Sequence, residues 1–146
     1  MNNVYLDLKN RHQEEVNSFP MFFAFNQKQF EEAMASLGLT PKDTDKVYGF
    51  GKTGGIYRKS DAAALREMFD RQEKEREQAI AADTTGEGYI FDMFDYELAN
   101  HEYCITWDVS DALRALGLTI EDVQANPLLA KGLDAARKAQ FEDEGE

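Results

Sequence analysis

The chain is short of the residues from which most recognisable sites are built. Its 146 residues include one cysteine, Cys104, and two histidines, His12 and His101. A single thiol rules out an internal disulfide, and a metal centre would have to draw on histidines and carboxylates. This usage suits a reducing, cytoplasmic setting. No apolar run approaches the roughly 20 residues that span a bilayer, and the opening "MNNVYLDLKNRHQEEVNSF" lacks a basic start followed by an apolar stretch. Neither membrane insertion nor export is expected.

Cations are scarce in one part of the chain. Residues 1–60 carry eight Lys and Arg against seven Asp and Glu, whereas residues 61–146 carry eight against 21. Between residues 83 and 122 ten acids (Asp83, Glu87, Asp92, Asp95, Glu97, Glu102, Asp108, Asp111, Glu121 and Asp122) face Arg114 alone. A field of that sign repels a phosphate backbone and attracts basic surfaces, so direct nucleic-acid binding through this half is excluded as an expectation.

What is present is enough to fold. Hydrophobic residues make up 42% and aromatics 12%, clear of the regime in which a chain cannot offset its ordering entropy. The length suits a single domain over residues 1–146, with the acidic tail frayed from about residue 142. Three stretches, "MFFAF", "KVYGF" and "GIYRK", read as strands, the first as a buried one. Helical spacing appears over 3–17, after the N-cap Asn26, after Ser60 for on the order of 30 Å, over about 89–100, over 110–116 and after Asn126-Pro127. "EYCITW" reads as a connector. The expected class is α+β, a small three-stranded, mainly antiparallel sheet packed with about five to six helices, its strand order open.

Two motifs invite a functional reading and lose it. "VYGFGKTGGIYRKSD" has the letters of a phosphate loop, but that pattern needs a glycine where Lys46 stands and a helix directly after Lys52-Thr53. Ile56 and Tyr57 favour a strand instead, so the glycines are expected to turn a hairpin. Lys52, Arg58 and Lys59 would give it a cationic edge. "LGLTPKD" at 37–43 matches "LGLTIED" at 116–122: in each a helix stops at glycine and Thr40 or Thr119 can cap another, with Asp43 or Asp122 three residues on. The second copy has the spacing of a DNA-binding helix-turn-helix. Its second helix, however, offers Glu121 and Asp122 and no cation before Lys131, the wrong chemistry for a major groove.

One pair of residues stands out. On a helix over "GYIFDMFDYELANHEY", Ile90, Phe91, Met93, Phe94 and Leu98 share a face, while Asp92, Asp95, Ala99 and Glu102 lie opposite. Glu97 and His101, one turn apart, point into the apolar sector. A carboxylate beside an imidazole in a poorly solvated place is how acid–base pairs and parts of metal sites are made, and Cys104 and His12 would be further ligands. The plainer reading is that Glu97 and His101 satisfy each other and nearby backbone at the edge of the core. On that reading there is no catalytic residue, metal or cofactor.

The segments "FPMFFAFNQKQFEE", "GGIYRKSD" and "FDMFDYELANHEYCITWDVSDALRALGLT" together resemble an uncharacterised family of small acidic proteins from Gram-positive gut bacteria, their phages and conjugative elements. The resemblance implies no established activity and assigns no functional residue. It implies a setting in which small acidic proteins act by binding and disabling host proteins.

The expected function is therefore a non-enzymatic protein-binding module, in the sharper form a nucleic-acid mimic that inhibits a host nucleic-acid-binding protein. Asp92, Asp95, Glu102, Trp107, Asp108, Asp111, Glu121 and Asp122 would face the basic partner, with aromatic residues interspersed. The plainer reading of such a face is that it keeps the protein soluble. The alternative function is a small enzyme or a ligand- or metal-binding protein using Glu97 and His101. Oligomeric state is left open.

Overall fold

The computed structural model describes residues 3–142. The expected frayed tail lies outside them. The elements are α1 (Val4–Ser18), β1 (Met21–Phe23), α2 (Gln27–Ser36), β2 (Val47–Phe50), β3 (Gly55–Arg58), α3 (Ala62–Ala82), α4 (Tyr89–Asn100), α5 (Tyr103–Thr106), α6 (Ser110–Ala115), α7 (Ile120–Ala125) and α8 (Pro127–Glu142), with short 3-10 turns at Thr44–Lys46 and Lys59–Asp61. This is an α+β protein. The described residues form eight α-helices rather than five or six, because α5 and α7, of four and six residues, are too short to show a helical period.

Backbone contacts divide the chain into two compact units. One is His12–Lys74; the other joins the N-terminal segment up to Arg11 with the chain from Glu75 onward.

The His12–Lys74 unit holds an antiparallel sheet of order β1-β3-β2. The glycine stretch is the expected hairpin: Val47 pairs with Arg58 and Phe50 with Gly55, and Gly51 and Gly54 turn the chain at φ 57° and 82°, which only glycine adopts at little cost. Asn26 caps α2 by accepting the Gln29 N–H at 2.8 Å. Met34, Leu37 and Leu65 are buried here. Arg71 on α3 pairs with Glu15 on α1, and that guanidinium holds the Glu15 carboxyl below its ordinary range. Met21–Phe23 of "MFFAF" forms the strand, but it is not buried: Phe22 is 36% exposed and Phe23 53%. It lies at the edge of a small sheet, so an apolar composition does not find cover on both faces.

The two "LGLT" corners begin alike. At α2 the Leu39 N–H bonds Met34 C=O at 2.8 Å, and at α6 the Leu118 N–H bonds Leu113 C=O at 2.9 Å, with Gly38 and Gly117 at positive φ. Then they diverge. Thr119 and Asp122 close a reciprocal capping box that starts α7. After Thr40 no α-helix follows, because Asp43 turns back onto Thr40 and only a 3-10 turn fits before Val47 enters the sheet. The helix–turn–helix corner expected at residues 37–43 is thus a turn into a strand.

The other unit is built around α4, whose Ile90, Met93, Phe94 and Leu98 are at most 1% exposed. They pack with Leu113 of α6, Val123 of α7 and Leu129, Leu133 and Ala136 of α8. The helix α8 crosses close because residue 132 is glycine: a Cβ there would fall 2.4 Å from Ile90 Cγ2. "EYCITW" is not a plain connector. Tyr103 is buried and its hydroxyl accepts from Arg137 Nε at 2.8 Å, which fixes the turn as α5.

Asp83 organises the entry into α4. Its carboxylate accepts the N–H groups of Thr85, Gly86, Gly88 and Ile90 at 2.9–3.1 Å, organising "DTTGEG" and the first turn of α4. Burial, the largest influence, pushes its pKa up; the N–H of Ile90, then those of Thr85 and Gly86, outweigh it and leave the carboxyl below its ordinary value. The stability it contributes is therefore complete above the ordinary carboxylate range and is lost as pH falls through the folded value. Asp83→Asn is expected to cost about 1–3 kcal/mol at pH near 7, with the gap to wild type narrowing at acid pH below the ordinary carboxylate range. Urea unfolding at neutral and at acid pH checks this.

Candidate functional site

Glu97 is 1% exposed at the third turn of α4. A carboxylate in that position requires donors, and α1 supplies two. The Tyr5 hydroxyl donates to Glu97 Oε2, and Lys9 Nζ lies 2.9 Å from the same oxygen. Tyr5 and Lys9 are one turn apart, so α1 presents both to α4 at once. The Lys9 ammonium also lies 5.1 Å from the centroid of the Tyr96 ring and 5.7 Å from that of Tyr5. Tyr5 in turn meets Tyr89 edge-on at 5.7 Å and Tyr96 at 5.8 Å. Burial first, then the hydrogen bond to Glu97, pushes the Tyr5 phenol far above its ordinary pKa and keeps it a donor. Tyr89, also buried, is pushed up to about 12.

The expected partner of Glu97 sits on its other side. His101 Nε2 is 3.6 Å from Glu97 Oε1, beyond hydrogen-bond distance, and Oε1 is buried without a hydrogen bond. Glu97 and His101 are thus neighbours, as the helical spacing implied, but the carboxylate is held by Tyr5 and Lys9. Cys104 is half-buried on α5, and His12 belongs to the other unit. Among the described residues no group of three close metal-ligand side chains includes Glu97, His101 or Cys104.

The acids expected to face a partner fall into two sets. Asp92 and Asp95 are half-buried. Asp92 accepts the Val4 N–H at 3.2 Å, and Asp95 accepts Gln140 Nε2 at 2.8 Å, so both work within the fold. Glu102, Asp108, Asp111, Glu121 and Asp122 are exposed. Asp122 closes the α7 cap, Asp111 pairs with Arg114 at 3.0 Å, and Asp108 accepts from Ser110 N–H at 2.9 Å; the Ser110 hydroxyl first, and then this N–H, lower its pKa. Trp107 is 69% exposed and Ile105 72%. Glu102 and Trp107 bracket α5 with positive φ, 58° and 60°, a conformation uncommon for side chains of that size. The Trp107 ring rests on Phe141 at 4.7 Å between centroids.

Residues 4–139 match the model of a family of unknown function, DUF7659. The chain belongs to that family. No curated protein and no solved structure matches it. DUF7659 membership therefore agrees with the resemblance read from the sequence at the level of an uncharacterised family and covers both α1, with Tyr5 and Lys9, and α4, with Glu97. Among the described residues no helix is long and apolar enough to cross a membrane.

The sequence reading found Glu97 and missed Tyr5 and Lys9, whose spacing of four residues on α1 was the available signal. Tyr5→Phe keeps the ring contacts and removes one of the two donors to Glu97. The change is expected to lower stability by about 1–3 kcal/mol, read as a shift in urea midpoint; an unchanged midpoint would show that this hydrogen bond carries no stability.

Proposed function

We infer that this protein is a non-enzymatic, cytoplasmic protein-binding module that docks onto a basic partner through the exposed segment around α5. The observation that carries this reading is Trp107 and Ile105, both about seven-tenths exposed, set among Glu102, Asp108 and Asp111. Exposed tryptophan is the side chain most often dominant in protein association, and a rim of acids steers a basic surface toward it. The segment is held ready: Tyr103 anchors it in the core, the Trp107 N–H bonds Tyr103 C=O at 2.8 Å, and the indole is propped on Phe141. A rigid anchor loses little entropy on binding.

In its sharper form the partner is a host protein whose basic surface otherwise holds DNA or RNA, and the chain acts for a phage or mobile element as a mimic of that nucleic acid. The support is the excess of acids over residues 102–122, where five carboxylates stand against Arg114 alone, itself paired with Asp111. Two of the ten acids between 83 and 122, Asp83 and Glu97, are buried and add nothing to this surface.

A second reading, a small enzyme or ligand-binding protein at Glu97 and His101, draws on the buried, unbonded Glu97 Oε1 facing His101. It expects a small ligand to raise the melting temperature and His101→Asn to abolish that rise while leaving the fold intact. The docking reading expects no such ligand.

Capture from a lysate of the source cell tests the preferred reading. The wild-type protein is expected to retain a basic protein that elutes at high salt, and DNA is expected to compete for it. Trp107→Ala should weaken retention by about tenfold or more, and Glu102→Gln with Asp111→Asn should reduce its salt dependence. Retention indifferent to all of these changes would contradict the reading.

A further inference from the structure

The His12–Lys74 unit carries a second apolar surface that the proposed function does not use. Strand β2 is an outer strand of the sheet, and Tyr48, Gly49 and Phe50 are exposed. Such an edge is a template for another strand unless it is covered or blocked. Nothing in its own sequence blocks it: Val-Tyr-Gly-Phe has no proline and no charge, and Gly49, whose added Cβ would meet nothing closer than 4.0 Å, permits close backbone approach.

Beside this edge is a cleft of about 420 Å³ between the hairpin and α3, lined by Tyr48, Phe50, Tyr57, Phe69 and Arg66 among others. Phe50 and Phe69 stack with planes 8° apart at 5.8 Å, and Tyr48 lies opposite Tyr57 at 6.0 Å. The cleft therefore offers a ring-lined seat for a side chain from an added strand. Its surroundings are cationic. Lys52, Lys59 and Arg66 lie respectively in the hairpin turn, beside Tyr48 and in the cleft lining, whereas Lys46 is taken by Asp43 at 3.6 Å. Lys59 lies 5.0 Å over the Tyr48 ring, and Arg58 is taken by Asp61 at 2.9 Å. At physiological salt charges interact over about 8 Å, so this local balance, rather than the chain's net charge, governs what docks here.

We propose that the outer edge of β2 accepts an extended peptide segment of a partner protein as a fourth strand, one apolar side chain entering the Tyr48–Phe50–Phe69 cleft and acidic residues at the segment's ends meeting Lys52, Lys59 and Arg66. A free strand edge recognises backbone, which an oligonucleotide does not supply. The unit as a whole also carries nine cations against ten acids, a poor track for a long phosphate backbone.

The test uses the full chain, isotope-labelled, and a pool of short acid-flanked peptides whose central positions alternate apolar residues with threonine. Amide signals of Val47–Phe50 are expected to shift on titration. Peptides N-methylated at alternate residues, which lose the donors of one edge and keep every side chain, should bind at least about tenfold more weakly. Lys52→Glu should weaken the acid-flanked pool and spare a neutral-flanked one. The proposal is overturned if no peptide moves the β2 amides or if the N-methylated pool binds equally. It is also overturned if oligo(dT) occupies the same amides in preference, or if those amides shift with protein concentration alone, which would mean that a second copy takes the edge.

Discussion

A carboxylate in the middle of an apolar helix face has to be answered from elsewhere in the chain, and this constraint organises the unit around α4. Glu97 lies between Met93, Phe94 and Leu98, among the most deeply buried side chains of the protein. Left alone it would give up its charge or the fold, since an unpaired buried ion costs several kcal/mol. Tyr5 and Lys9 answer it, and in doing so they join the first helix to α4, which begins only at Tyr89. The Tyr5 and Tyr96 rings beside the contact give the Lys9 ammonium a favourable face. The tie specifies which face of α1 meets α4, a choice that its scattered apolar points, Val4, Leu8 and Val16, do not force.

The parts legible in sequence were those whose signal is local. The period of "YIFDMFDYELAN" set the limits and inward face of α4, Asn26 and Thr119 marked helix starts, and the hairpin followed from the failure of the phosphate-loop pattern. What was missed is non-local. Tyr5 and Lys9 are separated from Glu97 by some ninety positions, and no periodicity reports such a pairing. Burial of "MFFAF" was overread because composition does not tell an edge strand from a central one. The acid count was overread as well: a carboxylate that holds backbone N–H groups, as Asp83 does, looks in sequence like one that faces water. A sequence such as Asp-Thr-Thr-Gly at a helix end does carry that signal, since aspartate in a turn bonds the amides that follow it.

With the inward-working acids set aside, fewer carboxylates remain at the surface than the composition implied. Asp83, Asp92, Asp95 and Glu97 serve the fold, whereas Glu102, Asp108 and Asp111 are exposed near an exposed tryptophan that caps a short helix pinned at Tyr103. The two surfaces argued for protein contact differ in chemistry. One is acidic and led by an indole, and the other is a cationic strand edge beside stacked rings, so they suit different partners.

The central claim is that Glu97 works inward, as a tie between α1 and α4. A double-mutant cycle on Lys9 and Glu97, with Lys9→Met, Glu97→Gln and the pair measured by urea unfolding, tests it directly. Mutual dependence predicts a coupling of about 1–3 kcal/mol, the double variant being less destabilised than the sum of the single ones. Additive losses, with a coupling near zero, would contradict it.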